Sequence, residues 1–160
     1  MKTNGTMKAL SIGLQGEIFA IDAQSVREIL DLVPITEVPN AQPFASGLIN
    51  VRGRVVPLAD LRVMFGMERP EPDHDTRIVV LEIAIGGEPA IAGILADKVY
   101  DVADLELASV EEAPKIGMRW RADYVRGIGK RGDDFIIIPN MDRIFSTEGV
   151  DGRPEERHAA

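Results

Sequence analysis

Gly127-Ile128-Gly129-Lys130-Arg131-Gly132 spells G-x-G-x-x-G. In dinucleotide-binding proteins that pattern brings backbone against a pyrophosphate at the start of a helix that directly follows a strand. Here the next residues, Asp133-Asp134-Phe135-Ile136-Ile137-Ile138, read as a strand, and two carboxylates would stand against the phosphates. The glycines therefore read as a hairpin turn. His74 lies between Asp73 and Asp75, but three adjacent loop residues rarely converge on one ion, and His158 is far away in the tail. Glu111-Glu112 are sequence neighbours on a proline-ended loop, which reads as solvated charge rather than an acid–base pair. Arg119-Trp120-Arg121 combines stacking potential with positive charge, yet nucleic-acid binding needs several such elements on a basic face. Trp120 reads instead as a packing residue or interface anchor. No G-x-S-x-G, P-loop or H-E-x-x-H occurs. Nothing in these patterns calls for catalysis, a metal or a cofactor.

The background agrees. The chain has 160 residues, enough for one substantial core or two small barrels sharing one. Apolar residues make up 45% and charged residues 28%, as in an ordinary folded protein. A formal charge of -8 argues against a general nucleic-acid or anionic-membrane binder, while permitting partners with local basic patches. The absence of cysteine excludes disulfides and thiolate catalysis and fits a reducing compartment. Met1 to Thr6 lacks a signal-peptide core, and runs such as Ile78 to Leu81 are strand-length, so a cytoplasmic protein without membrane insertion is expected.

Short apolar runs between turn signals make up most of the chain, the spacing of an all-β domain. Leu10, Ile12 and Leu14 alternate with Ser11 and Gly13, a half-buried strand that turns at Gln15-Gly16 into Ile18 to Ile21. Gly47 to Val51 and Arg54 to Leu58 flank a tight turn at Arg52-Gly53, and Arg77 to Ile85 ends at Gly86-Gly87. Further strands are expected at Ala90 to Leu95, Lys98 to Val102, Tyr124 to Ile128 and Asp134 to Ile138. Helical signals are few: one turn capped by Asp22, a short helix from Asp60 to Phe65, and another near Asn140 to Phe145. Glu68 to Asp75 is a charged, proline-interrupted loop, and 148–160 reads as a flexible tail.

These elements echo one another. Gly16-Glu17, the strand to Asp22 and Val26-Arg27-Glu28-Ile29 resemble Gly87-Glu88, the strand to Asp97 and Val99-Tyr100-Asp101-Val102. Val55 to Asp60 leading to Phe65 resembles Ile137 to Asp142 leading to Phe145. Two related units, each too small to bury enough surface alone, are expected to pack over one another.

The stretch Pro43-Phe44-Ala45-Ser46-Gly47-Leu48-Ile49-Asn50-Val51-Arg52-Gly53-Arg54-Val55-Val56-Pro57-Leu58-Ala59-Asp60-Leu61-Arg62 closely resembles the central signature of the CheW chemotaxis coupling proteins. There a proline precedes a G-[VL]-[IV]-N-[LV]-R-G turn that leads into V-V-P-x-x-D-L-R. Val26 to Ile29, Gly93 to Val102 and Tyr124 to Gly129 are similar to flanking family segments. The resemblance covers about 6–147. Asn140-Met141 departs from it before the last helix, and so does the acidic loop at Glu68 to Asp75.

This resemblance implies an all-β fold of two SH3-like five-stranded β-barrel subdomains over a shared hydrophobic seam, with short helices. The division expected is 16–75 for the first subdomain and 76–147 plus the first strand for the second. It also implies a non-enzymatic scaffold, recruited to membrane receptor arrays, that couples chemoreceptor cytoplasmic tips to the regulatory domain of a CheA-type histidine kinase. By resemblance, Val26, Glu28, Ile29, Val51 and Arg52 are assigned to the receptor surface and Asp97, Val99 and Val102 to the kinase surface. Each has a plainer role beside it: Glu28 as a solvated strand charge, Arg52 bonding turn carbonyls, Val99 in the core. Gly53 is assigned to the turn itself, where positive φ is needed. The competing reading is a small-molecule-binding barrel or enzyme, which requires a closed polar pocket at the seam.

Overall fold

The computed structural model describes residues 6–40, 47–69, 71–85, 87–106, 124–131 and 134–148. Among these residues are eleven strands: β1 Thr6–Leu14, β2 Glu17–Asp22, β3 Val26–Asp31, β4 Thr36–Glu37, β5 Gly47–Val51, β6 Arg54–Ala59, β7 Arg77–Ile85, β8 Glu88–Ala96, β9 Lys98–Glu106, β10 Val125–Arg131 and β11 Asp134–Pro139. Helices α1 (Leu61–Met64) and α2 (Met141–Glu148) follow β6 and β11, and a 3-10 turn, Ala23–Ser25, joins β2 to β3. The expected elements are all found; β4 is an addition, and β9 and β10 run beyond their anticipated ends.

Two sheets result, ordered β10-β11-β2-β1-β9 and β3-β7-β8-β6-β5-β4. Apart from the two-residue edge strand β4, they are the same arrangement built twice. Hairpin β1–β2 matches β7–β8, and the β5–β6–α1 unit matches β10–β11–α2. The same parallel contact joins β11 to β2 and β6 to β8. The third strand of each set crosses over: β3 pairs with β7, and β9 pairs with β1. The sequence echo is thus a structural pseudo-symmetry.

This exchange corrects the expected boundary. Both β1 and β2 belong with β9, β10 and β11, whereas β7 and β8 belong with β3 to β6. A division near residue 76 would cut both sheets. The physical reason is hydrogen bonding: β3 and β9 each find their ladder partner in a hairpin from the other half of the chain. The echo's register also shifts. Gly47 pairs with Leu58 and Val51 with Arg54, while Gly127 pairs with Ile138 and Arg131 with Asp134. Pro57 is therefore equivalent to Ile137, not to Pro139, although Phe65 and Phe145 do correspond.

The core has three layers. Leu10, Ile12, Leu14, Phe19 and Ile21 from the first sheet meet Val79, Leu81, Ala92 and Ile94 from the second, with Leu61, Phe65, Ile144 and Phe145 from the helices. This is the expected seam. Phe19 and Phe65 meet there as a tilted pair, with centroids 5.2 Å apart and planes at 58°. Inside the first barrel lie Ala9, Ala20, Leu105, Ile136 and Ile138; inside the second lie Ile49, Val56, Leu58, Ile78, Val80 and Leu95. Strand β1 consequently buries both faces from Ala9 onward rather than one. Its small residues fit the narrow barrel side: a Cβ on Gly13 would meet the Tyr100 ring at 3.4 Å.

Candidate functional site

A tight turn shapes the exposed end of the second barrel. At β5–β6, Arg52 and Gly53 have φ of 51° and 83°, both left-handed, as a type I′ hairpin requires. The Asn50 side-chain oxygen accepts from the Gly53 amide at 2.8 Å and braces the turn. No atom lies within 4 Å of a Cβ built on Gly53, so its glycine is demanded by conformation rather than space. Freed from bracing, the Arg52 side chain reaches across to β3, where Nη1 donates to Glu28 Oε2 at 2.5 Å. Glu28 is only 23% exposed and Arg52 is 76% exposed, so the guanidinium caps the carboxylate from solvent.

Glu28, Arg52 and Val51 line an open groove of about 390 Å³ at the mouth of the second barrel, with Arg27, Arg54, Val56, Val80 and Ile91. The other two residues of the expected receptor surface lie apart. Val26 packs against the seam, and Ile29 is exposed and points to the opposite face of β3 from Glu28. A β-bulge separates Val26 from Glu28.

The residues expected on the other barrel diverge further. Val99 packs on the seam, Val102 is 53% exposed, and Asp97 is engaged internally. Asp97 accepts from the Gln15 amide at 2.7 Å and from Arg62 Nη1 at 2.7 Å, while its own amide donates to the Gly13 carbonyl. Arg62 is buried. It also grips Asp60 through Nε and Nη2, both at 2.9 Å, a bidentate pair at the cap of α1. Burial works to lower the Arg62 pKa, but the hydrogen bond to Asp60 and the charges of Asp60 and Asp97 more than offset it, and the net effect is to raise it. This clasp joins the β1–β2 turn, the β8–β9 crossover and α1. No sequence reading singled out Arg62; the available signal was Asp60-x-Arg62 at a helix cap, with nothing to show that Asp97 arrives from a distant crossover.

A second open groove, at the mouth of the first barrel, is lined by Ser11, Ile18, Tyr100, Asp101, Asp134 and Ile136. The strand pairings make these the counterparts of Val80, Ile91, Arg27, Glu28, Arg54 and Val56. The third groove, about 450 Å³, runs along the edge of the seam past Asp22, Glu82, Arg126 and Asp142 and is open to solvent. All three grooves are open to solvent, whereas the small-molecule reading needs a closed polar chamber.

Gly127 to Arg131 of the G-x-G-x-x-G segment lie in strand β10, which pairs antiparallel with β11. In the acidic loop, Asp73 accepts from the Asp75 amide at 2.9 Å and Arg77 Nη1 donates to the His74 carbonyl, so local turns account for it. The described residues hold no cluster suited to a metal. Residues 43–46, Glu111-Glu112, Arg119-Trp120-Arg121 and His158 lie outside the described residues.

A family model described as the CheW-like domain matches residues 8–149. Chemotaxis protein CheW of Klebsiella aerogenes is 30% identical over 135 residues, covering 84% of this chain and 79% of that protein. The Rhizobium meliloti protein of the same name is 27% identical over 146 residues, covering 91% and 92%. The crystal structure of the scaffolding protein TtCheW from Thermoanaerobacter tengcongensis superposes with a TM-score of 0.78 at 30% identity, covering 92% of each chain.

Proposed function

Because this chain belongs to the CheW family of chemotaxis adaptors, which are scaffolds rather than enzymes, we propose that it couples chemoreceptor tips to a CheA-type histidine kinase. The observation that carries this reading is the Glu28–Arg52 contact. It gathers one residue from β3 and one from the β5–β6 turn into an exposed surface that the fold itself does not require. An exposed ion pair contributes only about 0–1 kcal/mol to stability, so its use lies in what it presents to a partner.

Val51 supplies the apolar floor of that groove, and Ile29 extends an apolar surface onto the other face of the same edge strand. A helical receptor tip needs such an apolar strip with a few charges to set register. Val26 acts from beneath, holding β3 against the seam. For the kinase, β9 is the proposed contact: Val102 is its exposed apolar residue, while Asp97 and Val99 fix the strand's position from behind. Holding two weakly bound partners together raises their effective concentration without catalysis, and recruitment to receptor arrays at the membrane follows from the same contacts. Among the described residues no helix is long and apolar enough to cross a membrane.

The test is receptor pull-down and kinase activation with Glu28→Lys and Arg52→Ala. Both variants are expected to keep the fold and lose coupling; full coupling by both would overturn the proposed surface.

A further inference from the structure

Between the described strands the chain passes from one sheet to the other twice, at β2–β3 and at β8–β9. The second crossing is a single residue, Asp97. Its amide donates to the Gly13 carbonyl at 3.0 Å, and its carboxylate accepts from the Gln15 amide and from Arg62 Nη1. Gly13 and Gln15 belong to the first sheet and its β1–β2 turn, whereas Arg62 sits on α1, which follows β6 of the second. Arg62 is fixed in turn by two further hydrogen bonds to Asp60, and only 4% of its side chain is exposed. The clasp thus ties one sheet to the other through directional contacts. The apolar seam joins them as well, but apolar contact is non-directional and tolerates small sliding of packed elements.

The other crossing is built differently. The strand pairings place Gln24, Asn140 and Asp142 at the positions of Asp97, Asp60 and Arg62, so an aspartate stands where the arginine would be. Asn140 accepts from the Arg143 amide and Asp22 from the Gln24 amide, both within their own turns. Beside this crossing the seam opens into the groove lined by Asp22, Ser25, Asn140 and Asp142. One end of the seam is locked, and its twin is open.

We infer that Arg62 is a positioning residue for coupling: its clasp sets the angle between the barrels. That angle fixes the spacing of the Glu28–Arg52 surface on the second barrel from the Val102 surface on the first. A buried ion cluster adds little stability over an apolar replacement of all its members, and its demand for fixed geometry suits it to this role. The functional half of the inference rests on the coupling role proposed above; the geometric half does not.

The chain has no cysteine, so spin labels go only where cysteines are introduced. Thr36→Cys and Asp134→Cys put one label at an exposed strand position of each sheet. Double electron–electron resonance between them is expected to give one narrow distance distribution when the clasp is intact. Arg62→Lys keeps the charge but cannot span both carboxylates, and Asp97→Asn removes one of them. With circular dichroism unchanged, each is expected to widen the distribution about twofold or more. Without labels, each is expected to bind receptor tip and kinase separately within about twofold of wild type, while receptor-dependent kinase activity falls about fivefold or more. Ile49→Ala weakens the second barrel without touching the clasp, and is expected to keep both the narrow distribution and the coupling. Unwidened distributions in both clasp variants, equal widening by Ile49→Ala, loss of separate binding, or full coupling despite widening would overturn the inference. A wild-type chain that fails to couple would overturn the coupling role and this use of the clasp with it, whereas the distances would still decide whether the clasp sets the angle.

Discussion

Arg62 places three guanidinium nitrogens on two carboxylates while almost out of contact with water. Removing it would leave Asp60 and Asp97 facing each other across the clasp without compensation. Arg62→Met is therefore expected to destabilise the fold by about 2–4 kcal/mol, below the figure for a fully buried pair because both carboxylates keep some solvent. Urea unfolding measures it. Arg52 behaves oppositely. It is a non-glycine residue at positive φ, and its ion pair is exposed. Arg52→Gly is expected to leave stability unchanged or raise it by up to about 1 kcal/mol, while coupling falls. Gly53→Ala is expected to cost about 1 kcal/mol, from strain alone, since nothing crowds its Cβ. Thermal melts distinguish the three. The turn was legible in the sequence because Arg52-Gly53 has local chemistry. Arg62 was not, because its burial depends on Asp97 arriving from another crossover.

At the scale of elements, alternation and turn residues located the strands, and the short helices followed from their Asp60 and Asn140 caps. What they could not reveal was which sheet each strand joins. β3 and β9 look like continuations of their own hairpins, yet each pairs with the other half. Nor did alternation expose Phe135, since Phe135-Ile136-Ile137-Ile138 reads as one apolar run although only its first residue faces solvent. The layered core leads to a contrast. Leu81→Ala opens a cavity in the seam, and Ile49→Ala opens one inside the second barrel. Each is expected to cost about 2–5 kcal/mol. Amide exchange should accelerate in both sheets for Leu81→Ala and mainly in the second sheet for Ile49→Ala.

For the whole molecule, strand exchange makes the two barrels one folding unit. Neither sheet can be completed from one half of the chain, and the seam between them is the largest apolar cluster among the described residues. Unfolding is expected in a single cooperative transition, and fragments cut near residue 76 are expected to remain unfolded when isolated and to regain structure when mixed. Circular dichroism of the fragments checks this. The same architecture fits an adaptor: two similar barrels, rigidly joined, hold separate surfaces at a fixed spacing. The most direct test of the coupling role is kinase activity reconstituted with receptor-bearing membranes, comparing wild type with folded Glu28→Lys and Arg52→Ala. We expect each variant to lower receptor-dependent kinase activity by about tenfold or more, the effect of disrupting a charged interface contact. Wild-type activity from both, with the fold intact, would contradict the proposed function of the Glu28–Arg52 surface.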